Sequence, residues 1–296
     1  MAIYAKLKKL IEIFRCFFKN PLYSLEVLGQ LPNIVQYKDV TGMRYLESSE
    51  YFFRANDYLT NWKNYSITKS KLNSNPEFNN TLRDFYENRK VGRGIWKWLH
   101  YFDIYDKHFS KFVDKEVNIL EIGVYSGGSL EMWRNYFGEK CNIYGIDIKE
   151  ECLSYENNYT KIFIGDQQDR NFWKLFRQKV PSIDIIIDDG GHQFEQQIVT
   201  LEELLPYLNS GGIYLCEDIE GKFNRFNSYT RALVSNLNNF DGKTSLEGIK
   251  PTEFQKWFKS ITYYPFVIVI EKADFPVDKL ICKKRGTQWQ PFYEKK

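Results

Sequence analysis

The hydrophobic pattern changes period along the chain. Over residues 1–20, Tyr4, Leu7, Leu10, Ile11, Phe14, Phe17 and Phe18 recur at helical spacing, with Lys8, Glu12, Arg15 and Lys19 on the other side. This predicts an amphipathic helix with a basic polar face. Residues 21–90 are weakly patterned. Turn signals such as Lys71-Leu-Asn-Ser-Asn-Pro76 and Asn79-Asn80-Thr81 predict helices and loops there. Residues 91–112 read as a helix dense in aromatics. After it, short β-branched runs alternate with helical stretches. The runs are Val117–Ile122, Asn142–Asp147, Lys161–Ile164, Ile183–Asp188 and Gly212–Cys216. Between the last two, Ile198, Leu201, Leu204, Leu205 and Leu208 keep helical spacing, closed by Gly211-Gly212. Such alternation predicts parallel β/α units. Past a long polar insert stand Pro265–Glu271 and Lys279–Cys282, with only a short Asp/Pro segment between them. They predict an antiparallel pair. The expected organisation is a helical N-terminal extension, 1–90, and an α/β domain, 91–296.

Composition narrows the class. The chain has 296 residues, 43% of them hydrophobic, which is enough for one large domain or one domain with an extension. Lys and Arg number 41 against 38 Asp and Glu, a net charge of +3. That balance argues against a nucleic-acid binder, which carries a basic surplus or stripe. No apolar run approaches the roughly 18–20 residues of a spanning helix. Residues 1–20 also lack the apolar centre and cleavage site of a signal peptide. Their helix either packs on protein, here or on a second subunit of a homo-oligomer, or makes a peripheral membrane contact. Five cysteines with no CxxC exclude a zinc ribbon and fit a reducing cytoplasm.

Three constellations carry chemistry. The first is Glu121-Ile-Gly123-Val-Tyr125-Ser-Gly127-Gly128-Ser129, between the first strand and the following helix. Ligands of open α/β sheets bind outside the carboxyl ends of the strands, and a helix N-terminus there receives an anion. An acid, a glycine two residues on and a glycine pair four later is the pattern of adenosylmethionine-binding sheets. Asp147 ends the second strand as the acceptor for ribose hydroxyls. Asp166 and Gln167 end the third, where an adenine would be gripped. The second constellation is Asp188-Asp189-Gly-Gly-His192 after strand four, and the third is Glu217-Asp218 after strand five. Clustered carboxylates need neutralising. Asp189, Glu217 and Asp218 offer hard oxygen ligands suited to Mg²⁺ or Mn²⁺. His192, three residues past Asp189, is a base for a hydroxyl at the same metal. Read against this, the acids cap turns and helices and His192 is an ordinary loop residue.

These residues, with Lys97-Trp98-Leu-His100-Tyr101-Phe-Asp-Ile-Tyr105-Asp-Lys-His108-Phe109 before them, resemble class I adenosylmethionine-dependent methyltransferases. More narrowly, the chain is similar to the macrocin/mycinamicin-type sugar O-methyltransferases and their cephalosporin-hydroxylase-like relatives. The resemblance runs from about residue 97 to 220. It implies a Rossmann-like, seven-stranded, mostly parallel sheet whose last strand is antiparallel. It also implies S-adenosyl-L-methionine and Mg²⁺ as cofactors, Mg²⁺ at Asp189, Glu217 and Asp218, His192 as general base, and a sugar or glycan acceptor. One departure is Gly191, where Ser is common. Residues 1–90 and 223–262 have no counterpart in the family pattern. Two other functions remain open. A non-haem iron hydroxylase would need His100 or His108 beside His192, and a scaffold subunit would bind the cofactor without turnover.

Overall fold

The β-branched runs become the strands of one sheet. The computed structural model describes residues 80–221, 224–239, 248–283 and 285–286, with residues 54, 55, 58 and 59. The chain divides into two units, Met1–Pro76 and Glu77–Lys296. The helix expected over residues 1–20, and most of the extension expected over 1–90, lie outside the described residues. In the second unit the elements are α1 (Thr81–Asn88), α2 (Tyr101–Phe109), β1 (Val117–Ile122), α3 (Gly128–Phe137), β2 (Cys141–Asp147), β3 (Thr160–Ile164), α4 (Arg170–Lys179), β4 (Ile183–Asp188), α5 (Phe194–Leu204), β5 (Leu208–Cys216), α6 (Arg225–Leu237), α7 (Glu253–Trp257), β6 (Phe258–Tyr264) and β7 (Val267–Lys272).

The sheet runs β3-β2-β1-β4-β5-β7-β6. The first five strands pair in parallel, and β7 is antiparallel to both β5 and β6. The chain winds outward from β1 to β3, then returns to place β4 on the other side of β1. That reversal opens a crevice at the carboxyl ends of β1 and β4.

Successive side chains of each strand point to opposite faces. Ile119, Ile143, Ile185 and Ile187 therefore join one core with Leu82, Tyr105, Phe109 and Trp133. Leu120, Ile122, Ile146 and Ile186 join the other with Trp173, Phe176, Leu201 and Phe226. Both faces are covered, as a parallel sheet requires. Much of the aromatic content goes here: Trp133, Trp173, Tyr105 and Phe109 are fully buried, and Tyr105 meets Trp133 edge-on at 5.1 Å.

Two expectations need correction. Residues 91–112 are not one helix; only α2 is α-helical, and 91–100 are irregular. Gly92, at φ +103°, interrupts the helix, and Gly94 lies against the start of α3, where its carbonyl would be 2.3 Å from a Cβ on Gly128. The antiparallel pair is also not 265–271 with 279–282. It is β6 with β7, and Leu280 makes only an isolated bridge to Ile249. β6 is an edge strand with most residues half-buried. Its mixed sequence, Phe-Lys-Ser-Ile-Thr-Tyr-Tyr, therefore lacks the apolar run that marks the inner strands.

One acid lies inside β1. Glu121 is fully buried, and its Oε2 accepts a 2.8 Å bond from Ser129 Oγ. Among the described residues no group meets Oε1 in hydrogen-bond geometry, and Trp133 Nε1 is the nearby donor that lowers the carboxyl's pKa. Burial, opposed by Lys97 and by the Ser129 bond, pushes the Glu121 carboxyl up to about 7. A carboxyl that is raised on folding binds its proton more tightly in the folded state. Stability is therefore lost as pH climbs from the ordinary carboxylate range, about 4.5, through about 7. Urea denaturation at pH 5 and pH 8 should show this. Relative to the wild type, Glu121→Gln should gain about 3 kcal/mol between the two pH values. A constant difference between the two proteins would contradict the assignment.

Candidate active site

The crevice at the strand ends opens into a cavity of about 730 Å³, a size that takes a nucleoside-sized ligand. Of the residues expected to bind cofactor, Gly123, Tyr125, Ser129, Asp147, Asp166 and Gln167 line it; Glu121, Gly127 and Gly128 stand behind it. Gly123 has φ +89°, and a Cβ there would lie 2.0 Å from the Asp189 carbonyl. Only glycine lets the ends of β1 and β4 close to this distance. Asp147 ties β2 to the loop after β1. Its Oδ2 accepts the N–H groups of Val124 and Tyr125, each at 3.0 Å, and its Oδ1 accepts Lys149 N–H at 2.9 Å. Asp166 Oδ1 accepts Gln168 N–H at 2.8 Å. The buried Gln167 donates to Asp188 Oδ1 (3.0 Å) and Thr200 Oγ1 (3.1 Å), and accepts from Gly191 N–H (2.7 Å). It braces the loop that carries Asp189 and His192.

The acids of β4 and β5 converge at the other end of the cavity. Asp188 is buried and accepts from Tyr214 Oη at 3.0 Å. Burial, opposed by the Tyr214 and Gln167 bonds, pushes it up to about 6. Asp189, His192 and Asp218 each offer an atom within 4.8 Å of the others. His192 Nε2 lies 4.0 Å from Asp189 Oδ1 and 3.8 Å from Asp218 Oδ2. Glu217 is fully buried beside them.

Behind the acids is a layer of donors. Lys97 Nζ donates to Asp189 Oδ2 and, at 2.8 Å, to Glu217 Oε2. Tyr105 Oη donates to Glu217 Oε1 at 2.5 Å, and Tyr101 Oη to Asp218 Oδ1 at 2.6 Å. Burial disfavours the Lys97 ammonium, but Asp189 and Glu217 outweigh it and hold the pKa above the ordinary lysine value. One ammonium serves two carboxylates. Glu217 therefore stays under-compensated, and burial pushes its carboxyl upward against the pull of Lys97.

This donor set fits a hard divalent cation. Asp189 Oδ1 and Asp218 Oδ2 face His192, while each carboxylate's other oxygen is held from behind. Oxygen ligands with room for water suit Mg²⁺ or Mn²⁺. Glu217 differs, because both its oxygens already accept bonds. Among the five described non-glycine residues with positive φ, Tyr125 (48°), His192 (57°) and Asp218 (51°) all line the cavity. Such conformations are uncommon and cluster at functional sites.

Sequence reasoning placed the acids and His192 but gave no role to Lys97, Tyr101 and Tyr105. The signal was present: Tyr101 and Tyr105 stand one helical turn apart on α2, so both reach the same side. His100 and His108 do not join His192. His100 Nε2 lies 3.0 Å from the Pro265 carbonyl and His108 Nε2 2.9 Å from Tyr264 Oη.

The chain is similar to known proteins. Residues 120–219 match a family model described as a methyltransferase domain. Demethylmacrocin O-methyltransferase of Streptomyces fradiae is 36% identical over 132 residues, 42% of this chain and 33% of that protein. Mycinamicin VI 2''-O-methyltransferase of Micromonospora griseorubida is 35% identical over 130 residues, 41% of this chain and 32% of that protein. The alignments thus span about a third of these curated relatives. Among solved structures, MycE methyltransferase of the mycinamycin pathway, with Mg, SAH and mycinamycin VI, superposes with a TM-score of 0.54 at 25% identity, covering 66% of this chain and 53% of that one. Residues 120–219 accordingly match a methyltransferase domain on a Rossmann-like sheet, and the chain is similar there to O-methyltransferases of the macrocin and mycinamicin type.

Proposed function

We propose that this protein is an S-adenosyl-L-methionine-dependent O-methyltransferase that methylates a sugar hydroxyl of a glycosylated metabolite or glycan, with Mg²⁺ or Mn²⁺ as its metal. One observation carries the reading. Asp189, His192 and Asp218 come together within 4.8 Å in the cavity that Asp147 and Asp166 also line. The relatives are, by name, O-methyltransferases of demethylmacrocin, of a rhamnosyl tetracenomycin at its 2' position and of mycinamicin VI at its 2'' position.

Asp147, at the end of β2, would hold the ribose hydroxyls, and Asp166 lies where an adenine would sit. Asp189 and Asp218 would hold the cation. Bound there, adenosylmethionine supplies the methyl group and the divalent cation supplies Lewis acidity toward the acceptor hydroxyl. The chain's own residues do the rest. His192 Nε2 would take the proton of the acceptor hydroxyl as its oxygen is methylated. The two carboxylates about 4 Å away stabilise the imidazolium that forms. Tyr101 and Lys97 fix the outer oxygens of Asp218 and Asp189, which would keep the inner oxygens aimed at the cation. Holding donor and hydroxyl in line supplies much of the remaining acceleration. The iron-hydroxylase alternative needs a second histidine, and both other histidines of the chain are engaged elsewhere.

Calorimetric titration of metal-stripped protein with adenosylmethionine, then with Mg²⁺ and Mn²⁺, tests the proposal. Wild type should bind both. Asp189→Ala should keep cofactor binding and lose metal binding and methyl transfer. A wild type that binds no cofactor would overturn the reading, and a metal site that survives Asp189→Ala would overturn its metal half.

The layer behind the acids makes a separate prediction. Lys97→Met leaves Glu217 buried without its cation. Breaking a buried pair from one side typically costs about 3–5 kcal/mol, so urea denaturation should show a loss of that size. A loss under about 1 kcal/mol would mean that the ammonium does not hold the cluster together.

A further inference from the structure

The hairpin joining β6 to β7 turns in two residues. Tyr264 pairs with Val267, leaving Pro265 and Phe266 at the tip. Phe266 has φ +63°. Glycine adopts this backbone freely, whereas a bulky side chain there is a strained outlier. The tip is tied down on the site side. The Phe266 carbonyl accepts the N–H of Ile219, the residue after Asp218, at 3.0 Å. His100 Nε2 lies 3.0 Å from the Pro265 carbonyl. The Phe266 ring packs at 5.6 Å on Trp98 and at 6.2 Å on His100.

The strain does not serve to bury these rings: Phe266 remains 38% exposed and Trp98 50%. Phe266 packs instead on Trp98, which lines the cavity that His192 and Asp218 also line. Trp98 is tied to the acids as well. Its carbonyl accepts Tyr101 N–H at 3.0 Å, and Tyr101 Oη holds Asp218. An indole lining the same cavity as a carboxylate and an imidazole gives that cavity both apolar and polar walls. A pyranose matches it, with one C–H-rich face for the ring and hydroxyl edges for the polar groups.

We propose that Trp98, buttressed by Phe266 and His100, is the platform on which the acceptor's pyranose ring lies while its hydroxyl meets Asp218 and His192. The proposal rests on the methyltransferase reading of this site and names the part of it that selects the acceptor. Trp98 is a binding residue; Phe266 is a positioning residue that acts through it.

The test uses the full chain with S-adenosylhomocysteine and Mg²⁺. The probe is methyl α-L-rhamnopyranoside, a 6-deoxy sugar with a large apolar face, and 4-nitrophenol serves as a flat ring without a sugar. Saturation-transfer NMR reads binding. Wild type should transfer saturation to the rhamnoside ring protons. Trp98→Ala should cut the effect about fivefold or more, and Trp98→Phe should restore part of it. Phe266→Gly should weaken sugar binding without lowering the melting temperature, because glycine relieves the backbone strain. A purely structural Phe266 would lower the melting temperature instead. Every variant should bind S-adenosylhomocysteine as the wild type does. The platform is overturned by undiminished sugar binding in Trp98→Ala, by a wild type that binds the nucleoside but no rhamnoside, or by preference for 4-nitrophenol. A wild type that binds no S-adenosylhomocysteine would instead sink the methyltransferase reading beneath it.

Discussion

Four carboxylates end two neighbouring strands, and much of the site's surroundings answers that crowding. Asp188 and Asp189 close β4, and Glu217 and Asp218 follow β5. Like charges so close are unfavourable without counter-charge or donors. The chain supplies both from one side. Lys97 sits between Asp189 and Glu217, Tyr105 reaches Glu217, and Tyr101 reaches Asp218. From the other side, Gln167 and Tyr214 satisfy Asp188. The irregular stretch before α2 follows from the same demand. A helix running on through 91–100 would have to pass Gly92 at φ +103° and the close approach of Gly94 to Gly128. An extended approach brings Lys97 under the acids instead.

The cost of this arrangement shows in the backbone. Tyr125, His192 and Asp218 line the cavity in left-handed conformations, and Phe266 buttresses its wall in another. Each is held by something specific. Asp147 Oδ2 anchors Tyr125 N–H, Gln167 anchors the loop before His192 through Gly191, and Tyr101 Oη accepts Asp218 N–H at 3.3 Å. Strain survives where the surroundings over-determine it. Here each anchor is another residue of the same crevice, so the site is built as a unit.

The inner sheet was readable in the sequence because its strands are buried on both faces and so are nearly unbroken apolar runs. Ile183–Asp188 is the clearest case, with Val117–Ile122 close behind. β6 was not readable. An edge strand need be apolar only where it touches the core, and Phe258–Tyr264 mixes Lys, Ser and Thr with aromatics. The acids and His192 were readable because they sit within a few residues of strand ends, where local order in the chain becomes proximity in space. Lys97 is 92 residues from Asp189 and 120 from Glu217. No spacing rule joins positions so far apart, and only the packing of the segment before α2 does. The glycine pair shows the opposite limit. Gly127 and Gly128 stand in a cofactor-like pattern, yet added Cβ atoms would meet the Tyr155 ring and the Gly94 and Arg93 carbonyls. Close packing of neighbouring segments therefore explains both without reference to a ligand.

The acids also differ from the uniform set that residue types alone imply. Asp189 and Asp218 each have one oxygen held from behind and one turned toward His192. Glu217 has both oxygens held, by Lys97 and Tyr105, and no exposed surface. A carboxylate oxygen has a second lone pair, so Glu217 can still reach a metal. Doing so sets it against an ammonium already bound to the same atom. The cluster is therefore graded: two acids open toward the cavity, and a third acts first as counter-charge to Lys97. Lys97, Tyr101 and Tyr105 thus fix the outer oxygens, and one oxygen each of Asp189 and Asp218 stays turned toward His192.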